Sequence, residues 1–132
     1  MSRQNAITLI ELIIVMVVVG IISAVAYPEY NSYLRHNKRQ DAIKNLRQYQ
    51  LEAEEYISAN GTAPPTGWLP SFPEPLSGLY SFTFTNNGGT DYTIRAIADP
   101  NFSQGQDEED GTSCTTLTMN HAMNDVHPPE CR

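Results

Sequence analysis

Apolar residues follow two different patterns along the first sixty positions. From Ile7 to Tyr27 the chain reads ITLIELIIVMVVVGIISAVAY, 21 residues with a single charge, Glu11. This run is apolar on every side, unlike the stripe of a soluble-core helix. As a helix it would be about 30 Å long, enough to cross a bilayer. Further on, Ala42, Ile43, Leu46, Tyr49, Ala53, Tyr56 and Ile57 recur at spacings of three and four among Arg, Lys, Gln and Glu. That spacing predicts an amphipathic helix. Asn60-Gly61 then supplies a stop, because both residues tolerate the left-handed conformation at a helix end. The two patterns join without a loop signal, so one helix of about 50 residues is expected. Its weakest stretch is Gly20 to Pro28, where glycine adds backbone freedom and proline removes a donor and bends the helix.

After the helix the period changes. Thr62 to Gly78 contains Pro64, Pro65, Pro70, Pro73 and Pro75 and reads as a loop, pinned to the core by Trp68, Leu69 and Phe72. Leu79 to Thr85 alternates with aromatics on one face, and Asn86-Asn87-Gly88-Gly89 makes a hairpin turn into a return strand over 91–98. A third strand is expected over 114–120, and the proline-containing tail is at best a poor edge strand. The fold class is therefore α+β: a long N-terminal helix with a small antiparallel sheet on its amphipathic half. The aromatic face of Tyr80, Phe82 and Phe84 is expected to cover the Leu46/Tyr49/Ala53/Tyr56 stripe.

Charge and cysteine content sharpen this picture. The formal net charge is −7, unevenly spread. Arg35, Lys38, Arg39, Lys44 and Arg47 follow the apolar run, whereas from Ala59 onward only Arg95 and Arg132 face nine acids. An acidic head disfavours phosphate binding over most of its surface. Topology by charge favours a cytoplasmic Arg35–Arg47 flank. Cys114 and Cys131 argue the other way if they form a disulfide closing a short C-terminal loop, which implies an oxidising compartment; two free thiols are the alternative. Such a bridge would contribute about 3 kcal/mol by loop entropy. Composition leaves the side of the membrane open. The N-terminus does not read as an ordinary secretory signal, since only MSRQNA precedes the apolar run and the run continues into a polar helix.

A short leader, then ITLIELIIV, then Gly20 and AYPEY resembles the class III signal of a type IV prepilin. Thr8, Leu9, Ile10 and Glu11 match the family pattern, as do Gly20, Pro28 and Tyr30, while Ala6 stands where Gly is usual and Ile7 where Phe is usual. Beyond the signal, the chain is similar to the small minor pilins of the fimbrial assembly set, closely over residues 6–60 and loosely after that. The resemblance implies a leader over 1–6, a transmembrane and filament-core helix over 7–34 and a pilin head over 35–132. Within the head it implies an amphipathic helix over 35–59, a connecting loop over 60–78, and a sheet and disulfide loop over 79–132. It further implies cleavage between Ala6 and Ile7 by a prepilin peptidase and methylation of the Ile7 amine. The expected sequence is insertion in the inner membrane with a periplasmic head, then packing with other pilin subunits in a surface pilus used in motility or adhesion.

Glu11 fits that chemistry. A lone carboxylate in hydrocarbon is expensive. Cleavage after Ala6 would create an ammonium at Ile7, four residues from Glu11, so the two charges pair within one subunit or between neighbours. Thr8 and Leu9 belong to the same assembly element.

Other motifs add little. Asp107 to Gly111, DEEDG, lacks the ligand spacing of a calcium loop and reads as a solvated acidic loop. His121 and His127 have no companion ligands for zinc, and His36 reads as a solvated helix residue. Neither metal nor other cofactor is expected. The acceptor triplets at Asn60 and Asn101 are too common by chance to count. No Ser or Thr has a base and an orienting acid in a recognisable motif, so an enzyme is not expected. The favoured function is a structural minor pilin. The alternatives are a pilus-borne DNA receptor or adhesin and a type II secretion pseudopilin. A DNA receptor would need a basic stripe that the head lacks, so nucleic acid is not expected as a partner.

Overall fold

The structure, a computed structural model, describes residues 7–69, 79–123 and 125–132. The leader with Ala6, and Pro70, Phe72, Pro73 and Pro75 of the connecting loop, lie outside the described residues. Helix α1 runs Leu9–Asn60 and is unbroken at Pro28. Strands β1 (Tyr80–Gly88), β2 (Asp91–Ala98) and β5 (Thr116–Asn120) form an antiparallel sheet in the order β1-β2-β5. A small hairpin, β3 (Glu108–Glu109) and β4 (Thr112–Ser113), stands apart from it. The chain divides into two compact units, Met1–Leu34 and Arg35–Arg132.

The second unit holds the core. Ala42, Ile43, Leu46, Tyr49 and Ala53 are buried in one cluster with Tyr80, Phe82 and Phe84 of β1 and Tyr92, Ile94 and Ala96 of β2. Alternation in β1 and β2 sends every second side chain to this face, so helix and sheet periods meet without a buried polar row. Aromatic rings fill the interior: Tyr49 lies 5.3 Å from Phe82 and Phe84 stacks 5.2 Å from Tyr92, centroid to centroid. Trp68 does pin the first part of the loop, edge-on to Phe84 at 5.4 Å and 6.1 Å from Tyr56. Gly88 and Gly89 take φ of 108° and 60°, which the tight turn between β1 and β2 requires. Cys114 and Cys131 are joined by a disulfide, which ties the end of the chain to the segment entering β5.

Two expectations need correction, on the third strand and the DEEDG segment, while the tail is the poor edge expected. The third strand begins at Thr116, because Cys114 turns inward to its partner and its N–H bonds the Asp107 carbonyl at 2.9 Å. The tail contributes one bridge, Thr118 to His127, with both N–H···O bonds at 2.9 Å. The DEEDG segment is not simply a solvated loop: Asp107 is buried and Glu109 is half-buried, since both carboxylates face the guanidinium of Arg39.

Candidate functional site

The first unit presents its chemistry at the start of α1. Thr8 caps the helix: its Oγ1 accepts from the Glu11 N–H at 3.3 Å, and its carbonyl accepts from Leu12 N–H at 3.3 Å. Thr-x-x-Glu is the spacing of a capping box, a signal present in the sequence that membrane-length reasoning passed over. Glu11 sits in the first turn, where the helix dipole favours negative charge. Ile7, Glu11, Leu12 and Val15 line one shallow depression of about 200 Å³, so position 7 and the carboxylate four residues on share a surface. From Leu9 to Val25 the large apolar side chains are exposed. Among the described residues of this unit nothing buries these side chains, and so exposed an apolar surface needs lipid or other apolar helices around it. Gly20 has open space around its α-carbon.

The second unit is closed by a polar cluster that the sequence concealed. Arg39 is fully buried and bonds Asp107 at 2.8 Å, His36 at 2.9 Å, and Glu109. Burial opposes its charge, but the bonds to Glu109 and Asp107 outweigh that and raise the guanidinium pKa. The hydrogen bond from Arg39 holds the Glu109 carboxyl below its ordinary range against slight desolvation. Gln104, also buried, donates to the Arg35 carbonyl at 2.9 Å and to the Tyr80 hydroxyl at 2.8 Å. Burial pushes the Tyr80 phenol up to about 12, with the Gln104 bond pulling the other way. The Arg39 Nε and Gln104 Oε1 atoms have no partner among the described residues. Arg39 falls one helical turn before Ala42 on the apolar stripe, and that placement was the available signal for its burial.

A second polar group joins helix to sheet. The Tyr92 hydroxyl donates to Glu54 at 2.6 Å, His121 Nδ1 meets the same carboxylate at 2.9 Å, and Gln50 donates to the carbonyls of Asn120 and Met123. Burial, then the Glu54 carboxylate, raise the Tyr92 pKa. Asp125 accepts from the Val126 N–H and takes Arg47 and Arg132 as ion pairs, which together lower its pKa. Among the described residues no group of three His, Cys, Asp or Glu side chains is placed to hold a metal.

The comparisons with known proteins agree with this geometry. The family described as type IV minor pilin ComP, DNA uptake sequence receptor, matches residues 28–118. The chain belongs to that type IV minor pilin family. The prokaryotic N-terminal methylation motif matches residues 1–27, which implies processing by a prepilin peptidase. Among curated relatives, fimbrial protein EcpC of Eikenella corrodens is 29% identical over 94 residues, 70% of this chain and 61% of that protein. A fimbrial protein of Pseudomonas aeruginosa is 35% identical over 57 residues, covering 43% of this chain and 37% of its own. Prepilin peptidase-dependent protein D of Escherichia coli is 35% identical over 54 residues, 41% and 37% of the two chains. The chain thus spans less than two thirds of the length of these relatives. A type IV pilin structure from Shewanella oneidensis has a TM-score of 0.53 at 22% identity, covering 72% of this chain and 92% of that one, and shares the pilin fold. The helix-plus-sheet arrangement is the pilin fold, and here the Cys114–Cys131 disulfide closes its C-terminal segment.

Proposed function

We propose that this pilin is a minor structural subunit of a type IV pilus, inserted in the inner membrane by α1 with its head in the periplasm and then drawn into the filament at the cell surface. Cleavage between Ala6 and Ile7 frees an amine that is methylated and pairs with Glu11. The observation carrying this reading is the shared depression of Ile7 and Glu11 at the capped start of an uncovered apolar helix. Before cleavage Glu11 has no cation in hydrocarbon; afterwards it has one within a helical turn, on its own chain or on a neighbour. Packing of apolar helices drives assembly, and Gly20 and Pro28 let the middle of the helix yield. In a piliated host, Glu11→Ala is expected to leave processing intact and reduce incorporation at least tenfold, read as tagged subunit in sheared pili. Mass spectrometry of the mature chain is expected to begin at methylated Ile7. Normal incorporation of the variant would remove the pairing, and a mature N-terminus elsewhere would remove the processing.

A second reading, a DNA receptor, is favoured by the description of the matching family. The disposition of charge opposes it. Arg39 is buried, Arg47 and Arg132 share Asp125, and Lys44 is held by Asp41, which leaves Arg35 and Lys38 on the helix and Arg95 on the outward face of the sheet as the head's cations without an ion pair among the described residues. Phosphate neutralisation needs several free cations together. Full-length chain in detergent micelles is expected to show no salt-sensitive micromolar retention of duplex DNA, and such retention would make the second reading the better one.

A further inference from the structure

Among the described residues, the sheet buries one face against α1 and leaves the other open. On the open face the three strands are in register, and their side chains form a lattice. The central row is Thr83, Arg95 and Thr118, one residue from each strand. The row on one side is Thr85, Thr93 and Asn120; on the other, Ser81 and Thr116 flank Ile97. Rows lie ~7 Å apart along the strands and neighbours ~4.8 Å apart across them. Arg95 is exposed at the centre and makes no ion pair among the described residues. The nearest acids along the chain, Asp91 at the start of β2 and Asp99 just past its end, are each four residues away, ~13 Å by strand rise. Asp99 is further occupied, accepting from the N–H and side-chain amide of Asn101. At the Ile97 end the face opens into a depression of about 450 Å³, lined by Tyr80, Ser81, Ile97, Ala98, Asp99 and Pro100.

From this arrangement we infer that the open sheet face binds a glycan through a terminal sugar acid, a ring bearing one carboxylate among several hydroxyls. A guanidinium presents a planar fork of donors that suits one carboxylate, and that of Arg95 is engaged by no acid among the described residues. The hydroxyls around it both donate and accept, so they match a polyhydroxylated ring better than an apolar one. Ile97 and the adjoining depression offer apolar surface to the carbon face of the ring. Charge separates this ligand from a polyanion: among the described residues the outward positions of the three strands carry one guanidinium, in an acidic head, which matches one negative charge and repels a chain of them. The strands hold the backbone of the lattice rigid, so the ordering that opposes binding is confined mainly to the Arg95 side chain. The inference does not depend on polymerisation and stands whether or not Glu11 acts as proposed.

The test is nuclear magnetic resonance of isotope-labelled full-length chain in detergent micelles, titrated with sodium glucuronate and, in parallel, with glucose and sodium acetate. Saturable shifts are expected at the Arg95 Nε–H and at the backbone amides of Thr83, Arg95 and Thr118, with millimolar affinity for glucuronate. Affinity for glucose and for acetate is expected to be at least tenfold weaker. Arg95→Gln should reduce glucuronate binding at least tenfold with the remaining amide spectrum unchanged, and Thr118→Ala should reduce it several-fold. Shifts that do not saturate, that survive in Arg95→Gln, or that acetate reproduces would overturn the proposal. So would tighter binding of a short DNA duplex at the same face, which would assign it to nucleic acid. Shifts at these amides on raising protein concentration alone would assign the face to a second copy of the chain, and equally overturn it.

Discussion

The two halves of α1 share one continuous backbone and obey opposite rules. From Leu9 to Val25 the large apolar side chains are exposed, whereas Ala42, Ile43, Leu46, Tyr49 and Ala53 are buried under the sheet. In the first half the charge is a carboxylate with no ion pair among the described residues; in the second it is an arginine sealed between two carboxylates. The difference teaches where each half finds its stability. The C-terminal half is satisfied inside its own unit, by area and by charge. The N-terminal half is left for other molecules to satisfy, which is how a subunit of an assembly is built.

Substitutions should separate the two halves. The largest effect on the head is expected from Arg39→Ala, which strands Asp107 as a buried unpaired carboxylate and should cost about 3–5 kcal/mol. Urea unfolding of the full chain in micelles, followed through the Trp68 fluorescence, measures it; a loss under about 1 kcal/mol would mean the cluster is dispensable, as exposed pairs often are. Removing the bridge with Cys114→Ser and Cys131→Ser should cost about 3 kcal/mol on the same readout, because the freed loop regains entropy only in the unfolded state. A smaller effect is expected from acid. The Glu109 carboxyl is held below its ordinary range when folded, so its contribution is present above the ordinary carboxylate pKa and fades as pH falls through the depressed value. Glu109→Gln should flatten that part of the pH profile, and an unchanged profile would remove Glu109 from the cluster. The smallest effect on the head is expected from Val15→Ala: urea stability unchanged within about 0.5 kcal/mol, as for sites that share no partners. Its cost should appear only in filament incorporation, and a destabilised head would break the contrast.

Much of this was legible before any coordinates. Leucine, valine and isoleucine on every side of residues 7–27 announced an environment other than water. The stripe from Ala42 to Ile57 and the alternation of Tyr80, Phe82 and Phe84 identified both partners of the core, because helix and strand periods are local consequences of backbone geometry. The matching motif at the N-terminus is local too. The Asp107 segment misled because its partner lies 68 residues away in sequence, and five acidic or flexible residues look solvated until a buried cation is brought to them. The β3–β4 hairpin escaped for the same reason, being two residues per strand and held by its surroundings.

The sequence by itself determined the long two-part helix, the sheet that covers half of it and the lone carboxylate at its start, since each rests on spacing within a few residues. Only the tertiary structure decided that Arg39 is buried and that Arg95 is exposed with no ion pair among the described residues. A charge is hidden or available according to which distant groups the fold carries to it, and no local pattern records that.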